Sequence, residues 1–117
     1  MKKIFHLSSC DTNRRILKEL APGPDVELQD IKANNIDAST LDWVKEKAGS
    51  YEALFSKKAI KYRSLGLNEQ TLSEQDYRRL LLEEYTFLKR PFIIIEDEVF
   101  IGNGADAIAA AKEAMTK

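Results

Sequence analysis

The 117-residue chain has one cysteine and one histidine. A single thiol closes no internal disulfide, and no His/Cys/carboxylate grouping has zinc spacing, so no structural metal is expected. Three prolines and five glycines leave no stretch that reads as low-complexity or linker. The longest apolar run, Phe92-Ile93-Ile94-Ile95, is far too short to span a bilayer. Charge is balanced at −1, which argues against nucleic acid or an anionic membrane as a partner. Lys2 and Lys3 precede only a short apolar stretch broken by His6, so no signal peptide is expected. No phosphate loop or dinucleotide fingerprint appears. These absences together predict a protein of the reducing cytoplasm.

What is present suffices for a core. Hydrophobic residues make up 44% of the chain, and the length suits a single domain over 1–117. Ile4 to Leu7 reads as a short buried strand and Asp11 to Leu20 as a helix with Ile16, Leu17 and Leu20 on one face. Ala21-Pro22-Gly23-Pro24 ends that helix, and Val26 to Ile31 reads as a half-buried strand. The middle, about 35–88, is helical. Ser39-Thr40-Leu41-Asp42 resembles a capping box, a shorter helix is expected near Ser50, and Ser73-Glu74-Gln75-Asp76 is a second cap. Behind it Tyr77, Leu80, Leu81, Glu84, Tyr85 and Leu88 keep helical spacing. Phe92–Ile95 and Val99–Ile101 read as a hairpin, Gly102-Asn103-Gly104 as a turn with Asn103 or Asp106 as cap, and Ala105 to Met115 as a helix.

The order is therefore βαβ, helices, ββα. It predicts an α/β protein of thioredoxin-like fold with an all-helical insertion between the second and third strands. A thioredoxin fold places a cis-proline before its third strand, and Pro91 stands there.

Cys10 falls where the first strand ends and the helix begins. A thiol there meets free backbone N–H groups and the positive end of the helix dipole, which favour the nucleophilic thiolate. Arg14, one turn on, adds to this, and Asp11 opposes it. Position 13 is Asn, so there is no Cys-X-X-Cys and any disulfide must form with an outside thiol. His6 shares a strand side with Ser8 and Cys10, where an imidazolium would stabilise the thiolate. The other reading is a strand-end histidine bonded to backbone. Arg90 suits an oxyanion or a glutathione carboxylate, or else a surface ion pair with Glu83 or Glu84. Arg15 and the run Lys57, Lys58, Lys61 and Arg63 read as solvated charge.

Three segments carry a family resemblance: His6-Leu7-Ser8-Ser9-Cys10-Asp11-Thr12-Asn13-Arg14, Ala53-Leu54-Phe55-Ser56-Lys57-Lys58 through Tyr62-Arg63-Ser64-Leu65-Gly66-Leu67, and Lys89-Arg90-Pro91-Phe92-Ile93-Ile94. In this order and spacing the chain resembles the glutaredoxin-linked arsenate reductase family, ArsC, with its Spx and YffB relatives. The resemblance implies Cys10 as nucleophile, His6 as the group that assists thiolate formation, and Arg14, Thr12, Arg90 and Pro91 around a bound anion. It also implies two further arginines, at position 56 and near 102 or 103, where this chain has Ser56 and Gly102-Asn103. Two missing guanidinium groups weaken arsenate reduction proper as the activity. YffB-type relatives share the Cys-Asp-Thr opening and imply a glutathione-dependent thiol reductase. The expected participants are a small anionic substrate, glutathione as co-substrate and a glutaredoxin-type reductant, with no tightly bound cofactor. The alternative, implied by Spx, is a regulator that binds RNA polymerase.

Overall fold

The computed structural model of the protein describes residues 1–116. Its elements are β1 (Lys2–His6), α1 (Asp11–Leu20), β2 (Glu27–Asp30), α2 (Ala38–Ala48), α3 (Ile60–Ser64), α4 (Glu74–Glu83), β3 (Phe92–Ile95), β4 (Glu98–Ile101) and α5 (Ala105–Met115). Single 3₁₀ turns lie at Glu52–Leu54, Leu67–Glu69 and Tyr85–Phe87. The chain forms two compact units, one from Met1–Asn34 and the chain from Arg90 onward, the other from Asn35–Lys89.

The first unit is built on a four-stranded sheet in the order β2-β1-β3-β4. β1 runs parallel to β2 and antiparallel to β3, and β3 and β4 form the hairpin. Residues of one strand alternate between faces, so Ile4, Ile93 and Ile95 join Val26, Ile16 and Leu20 of α1, and Ile108 and Ala111 of α5, in one core. Phe5 and Phe92 meet edge to face with centroids 6.0 Å apart. All four residues of β3 are buried, which is why its sequence is a continuous apolar run rather than an alternation. The hairpin turns at Glu96-Asp97 without glycine; Glu96 itself adopts a φ of 54°. α1 ends at Ala21, whose left-handed backbone (φ 45°) lets its amide reach the Leu17 carbonyl.

The second unit is helical. Phe55 is its centre, stacked on Phe87 at 4.7 Å and edge-on to Tyr77 at 5.0 Å and Tyr62 at 5.8 Å. Backbone bonds from Ser56 to Phe87 and from Lys89 to Leu54 clasp the two ends of this layer. Asp42 accepts both Nε and Nη2 of Arg78 and the hydroxyl of Tyr51. The Ser73–Asp76 capping box forms at the start of α4.

Three local expectations are corrected. α2 is capped by Asp37, not Ser39. The Asp37 carboxylate takes the Thr40 amide at 2.8 Å and the Ser39 hydroxyl at 3.1 Å, a stronger acceptor than the serine it displaces. The helical spacing that runs on to Leu88 breaks at Glu84, whose side chain instead accepts the Thr86 amide and hydroxyl and starts a new 3₁₀ turn. α5 is capped by Gly104 with no side-chain bond, so neither Asn103 nor Asp106 caps it.

Candidate functional site

The strand register gathers one end of the sheet. β1 and β2 are parallel with His6 opposite Asp30, so both finish at the same end. β3 is antiparallel with Phe5 opposite Phe92, so Arg90-Pro91 enters the sheet at that same end. β4 leaves there too, and the Gly102 amide donates to the Pro91 carbonyl at 3.0 Å. The loop bearing Cys10 springs from this end of β1. His6, Cys10, Asp30, Arg90, Pro91 and Gly102 are thus brought to one edge by topology alone.

Cys10 is the N-cap residue of α1, with extended backbone and no side-chain cap bond. It is half-buried and in no disulfide. Its carbonyl accepts the Arg14 amide and its amide donates to the Leu7 carbonyl, both at 3.0 Å, so a tight turn delivers it onto the helix. Cys10 therefore occupies the position at which a Ser, Thr or Asp would ordinarily bond to the first-turn N–H groups, and its thiol makes no such bond.

The loop is braced from several sides. Leu7 donates its amide to Oδ1 of Asn13 at 2.9 Å, and Asn13 is 1% exposed. Arg14 donates through Nη1 to the Ser8 carbonyl at 2.7 Å and through Nη2 to the Asp11 carboxylate. Arg14 thus serves the loop itself, and its guanidinium neutralises the Asp11 charge beside Cys10. Ser8 donates its hydroxyl to Asp30 at 2.6 Å. That bond lowers the Asp30 carboxyl below its usual range against the opposing effect of burial, with the amides of Lys32 and Ser8 and nearby His6 adding smaller contributions.

His6 ends β1. Its carbonyl takes the Ile31 amide at 2.9 Å, while its Nδ1 is buried with no hydrogen-bond partner among the described residues. Arg90 is half-buried, and the Arg90-Pro91 peptide, whose isomer the sequence leaves open, is cis. Thr12 is half-buried in the first turn of α1. Ser56 lies in the helical unit, its amide bound to the Phe87 carbonyl at 2.7 Å. Gly102 has a φ of 87°, so an arginine side chain at that position would strain the backbone. Lys57 and Lys61 of the basic run are engaged by Glu52 and Glu84.

Asn13 and Asp30 are functional candidates that sequence reasoning passed over. For Asn13 a signal existed: the third residue after a helix-start cysteine returns to the strand side of the first turn. For Asp30 the only sign was a charge at the position where the alternation of Val26 and Leu28 calls for an apolar residue.

Among the described residues no group of three or more His, Cys, Asp or Glu could hold a metal ion. No helix among them is long and apolar enough to cross a membrane.

A sheet-and-helix domain of thioredoxin-like type, with one thiol at a helix start and a cis-proline entering the third strand at the same edge, defines the class. The ArsC family model matches residues 5–111, and the chain belongs to the ArsC family. Solved structures agree in fold. A protein described as YFFB superposes with a TM-score of 0.77 at 24% identity, over 95% of this chain and 98% of its own. An arsenate reductase from Vibrio cholerae gives 0.78 at 18% identity, over 94% and 96%. An arsenate reductase related protein from Brucella melitensis gives 0.71 at 23% identity, over 93% and 92%. No curated protein matches the sequence.

Proposed function

We propose that this ArsC-family chain is a monothiol oxidoreductase with Cys10 as nucleophile and glutathione as co-substrate. The observation that carries the reading is the sole thiol at an uncapped helix start with Asn13, not cysteine, three residues on. No internal thiol can resolve a disulfide formed at Cys10, so an external thiol does.

The cycle follows from that constraint. The Cys10 thiolate attacks one sulfur of a mixed disulfide between glutathione and a substrate thiol. The S–S bond breaks, the substrate leaves as a thiolate and takes up a proton, and Cys10 holds glutathione through a new disulfide. A second glutathione thiolate attacks the sulfur of the bound glutathione, releasing glutathione disulfide and restoring Cys10. Both electrons come from glutathione, or from a glutaredoxin-type thiol that serves the second step. Arg90 offers its guanidinium to a glutathione carboxylate, and Thr12 lies in the turn beside Cys10.

Arsenate reduction is the second reading, favoured by the family and by the relatives described as arsenate reductases. Ser56 and Gly102 stand against it. Each donor missing from an oxyanion site costs about 10²–10³ in rate.

The test is turnover of a glutathionylated peptide with glutathione, coupled through glutathione reductase to NADPH oxidation, for the native chain and Cys10→Ser. Equal rates would sink the reading. Adding arsenate and glutaredoxin to the same assay separates the two activities, since only the second reading gives an arsenate-dependent rate.

A further inference from the structure

We infer that Asp30 is a positioning residue for the Cys10 loop and acts through Ser8. The inference rests on Cys10 being the nucleophile proposed above. Asp30 closes β2 in register with His6, which closes β1. From there its carboxylate reaches across to the loop that follows β1. Oδ2 accepts the Ser8 hydroxyl at 2.6 Å, and Oδ1 takes the Ser8 amide at 3.5 Å and the Lys32 amide at 3.2 Å. Ser8 is the residue whose carbonyl also holds Arg14. One carboxylate therefore fixes the middle of the segment Leu7–Cys10, whose two ends are fixed by Asn13 and by the start of α1.

The consequence is electrostatic. The favourable field of a helix N-terminus falls off within the first turn. A thiol kept at that terminus is ionised more readily than one on a loose loop. The charges brought to this end of the sheet are Asp11, Arg14, Asp30 and Arg90, with His6 beside Asp30. Asp30 as a bare negative charge would oppose the thiolate. As a hydrogen-bond acceptor that sets the loop it favours the thiolate. The two roles predict opposite signs on substitution, which makes them separable.

The experiment measures Cys10 alkylation by iodoacetamide at pH 7 and at the high-pH limit. Ser8→Ala and Asp30→Ala are expected to slow the pH 7 rate about tenfold, with the limiting rate unchanged. Asp30→Asn loses the charge and keeps one of the two acceptor oxygens, so it can still take the Ser8 hydroxyl but not the Ser8 and Lys32 amides as well, and it is slowed less than Asp30→Ala. The Ser8→Ala/Asp30→Ala pair is no slower than the slower single variant, because both remove the same bond. A purely structural role would lower the thermal midpoint and leave these rates alone. Asp30→Ala reacting at or above the native rate overturns the inference, and so does equal slowing in Asp30→Asn and Asp30→Ala. Failure of the native chain to turn over glutathionylated peptide removes the functional reading instead, and the alkylation comparison still decides the role of Asp30.

Discussion

Asn13 accepts the Leu7 amide through its side-chain oxygen at 2.9 Å, tying the first turn of α1 to the end of β1 from a site that is 1% exposed. In a dithiol site, position 13 would carry the resolving cysteine; here it carries a structural bond. Asn13→Ala leaves the buried Leu7 N–H without its acceptor and should cost about 1–3 kcal/mol of stability. Asn13→Cys should cost a similar amount, because a thiol is a weak acceptor. Urea unfolding of both variants checks this, and unchanged midpoints would refute it.

Cys10→Ser should separate activity from stability. The variant loses the proposed thiol chemistry entirely. Serine is also a preferred N-cap, and its hydroxyl can take a first-turn N–H that the Cys10 side chain leaves without a cap bond. Stability is expected to rise by about 0.5–1 kcal/mol. Thermal and urea denaturation measure it, and a destabilised Cys10→Ser would mean that the thiol contributes more through packing than a cap returns.

The legible and the hidden parts of this chain differ for physical reasons. α1 could be read from the sequence because Ile16, Leu17 and Leu20 repeat at helical spacing, and β3 because four adjacent apolar residues fill a strand buried on both faces. α3 could not, since it buries no residue and Ile60 is 87% exposed, so no apolar face marks it. Asp37 was hidden because two neighbouring acceptors competed for one helix start and the carboxylate won. The site shows the same division. Cys10 and Pro91 announce themselves by position between elements. Asn13 and Asp30 act through side-chain hydrogen bonds to a loop, which leave no periodic trace.

Stability in acid should depend on Asp42. Its carboxylate takes a forked pair of bonds from Arg78, at 2.8 and 3.1 Å, and the Tyr51 hydroxyl at 2.6 Å. First Arg78 and then Tyr51 lower its pKa from 3.8 to about 2. A carboxyl lowered on folding stabilises the fold above its unfolded pKa, and that contribution fades as pH drops from about 4 towards 2. Both side chains are partly exposed, so solvent screening keeps the effect modest. Urea midpoints at pH 5 and pH 2.5 should differ less in Asp42→Asn than in the native chain. An identical difference in both proteins would place the acid sensitivity elsewhere.

Arg90 tests the anionic character of the substrate. It enters the sheet at the edge that carries the Cys10 loop, because β3 runs antiparallel to β1. A guanidinium bonded to a carboxylate contributes about 1.5–3 kcal/mol, and partial exposure reduces it. Arg90→Ala should therefore raise KM for a glutathionylated peptide about tenfold, with a much smaller change in kcat. Arg90→Lys should recover only part of the loss, since an ammonium keeps the charge and not the two-pronged geometry. The control is hydroxyethyl disulfide with a neutral dithiol such as dithiothreitol in place of glutathione, so that no species in the assay has a carboxylate for Arg90 to hold. Its turnover should be nearly the same in all three proteins. An equal loss on both disulfides would show that Arg90 supports the fold at this edge and does not bind the anion.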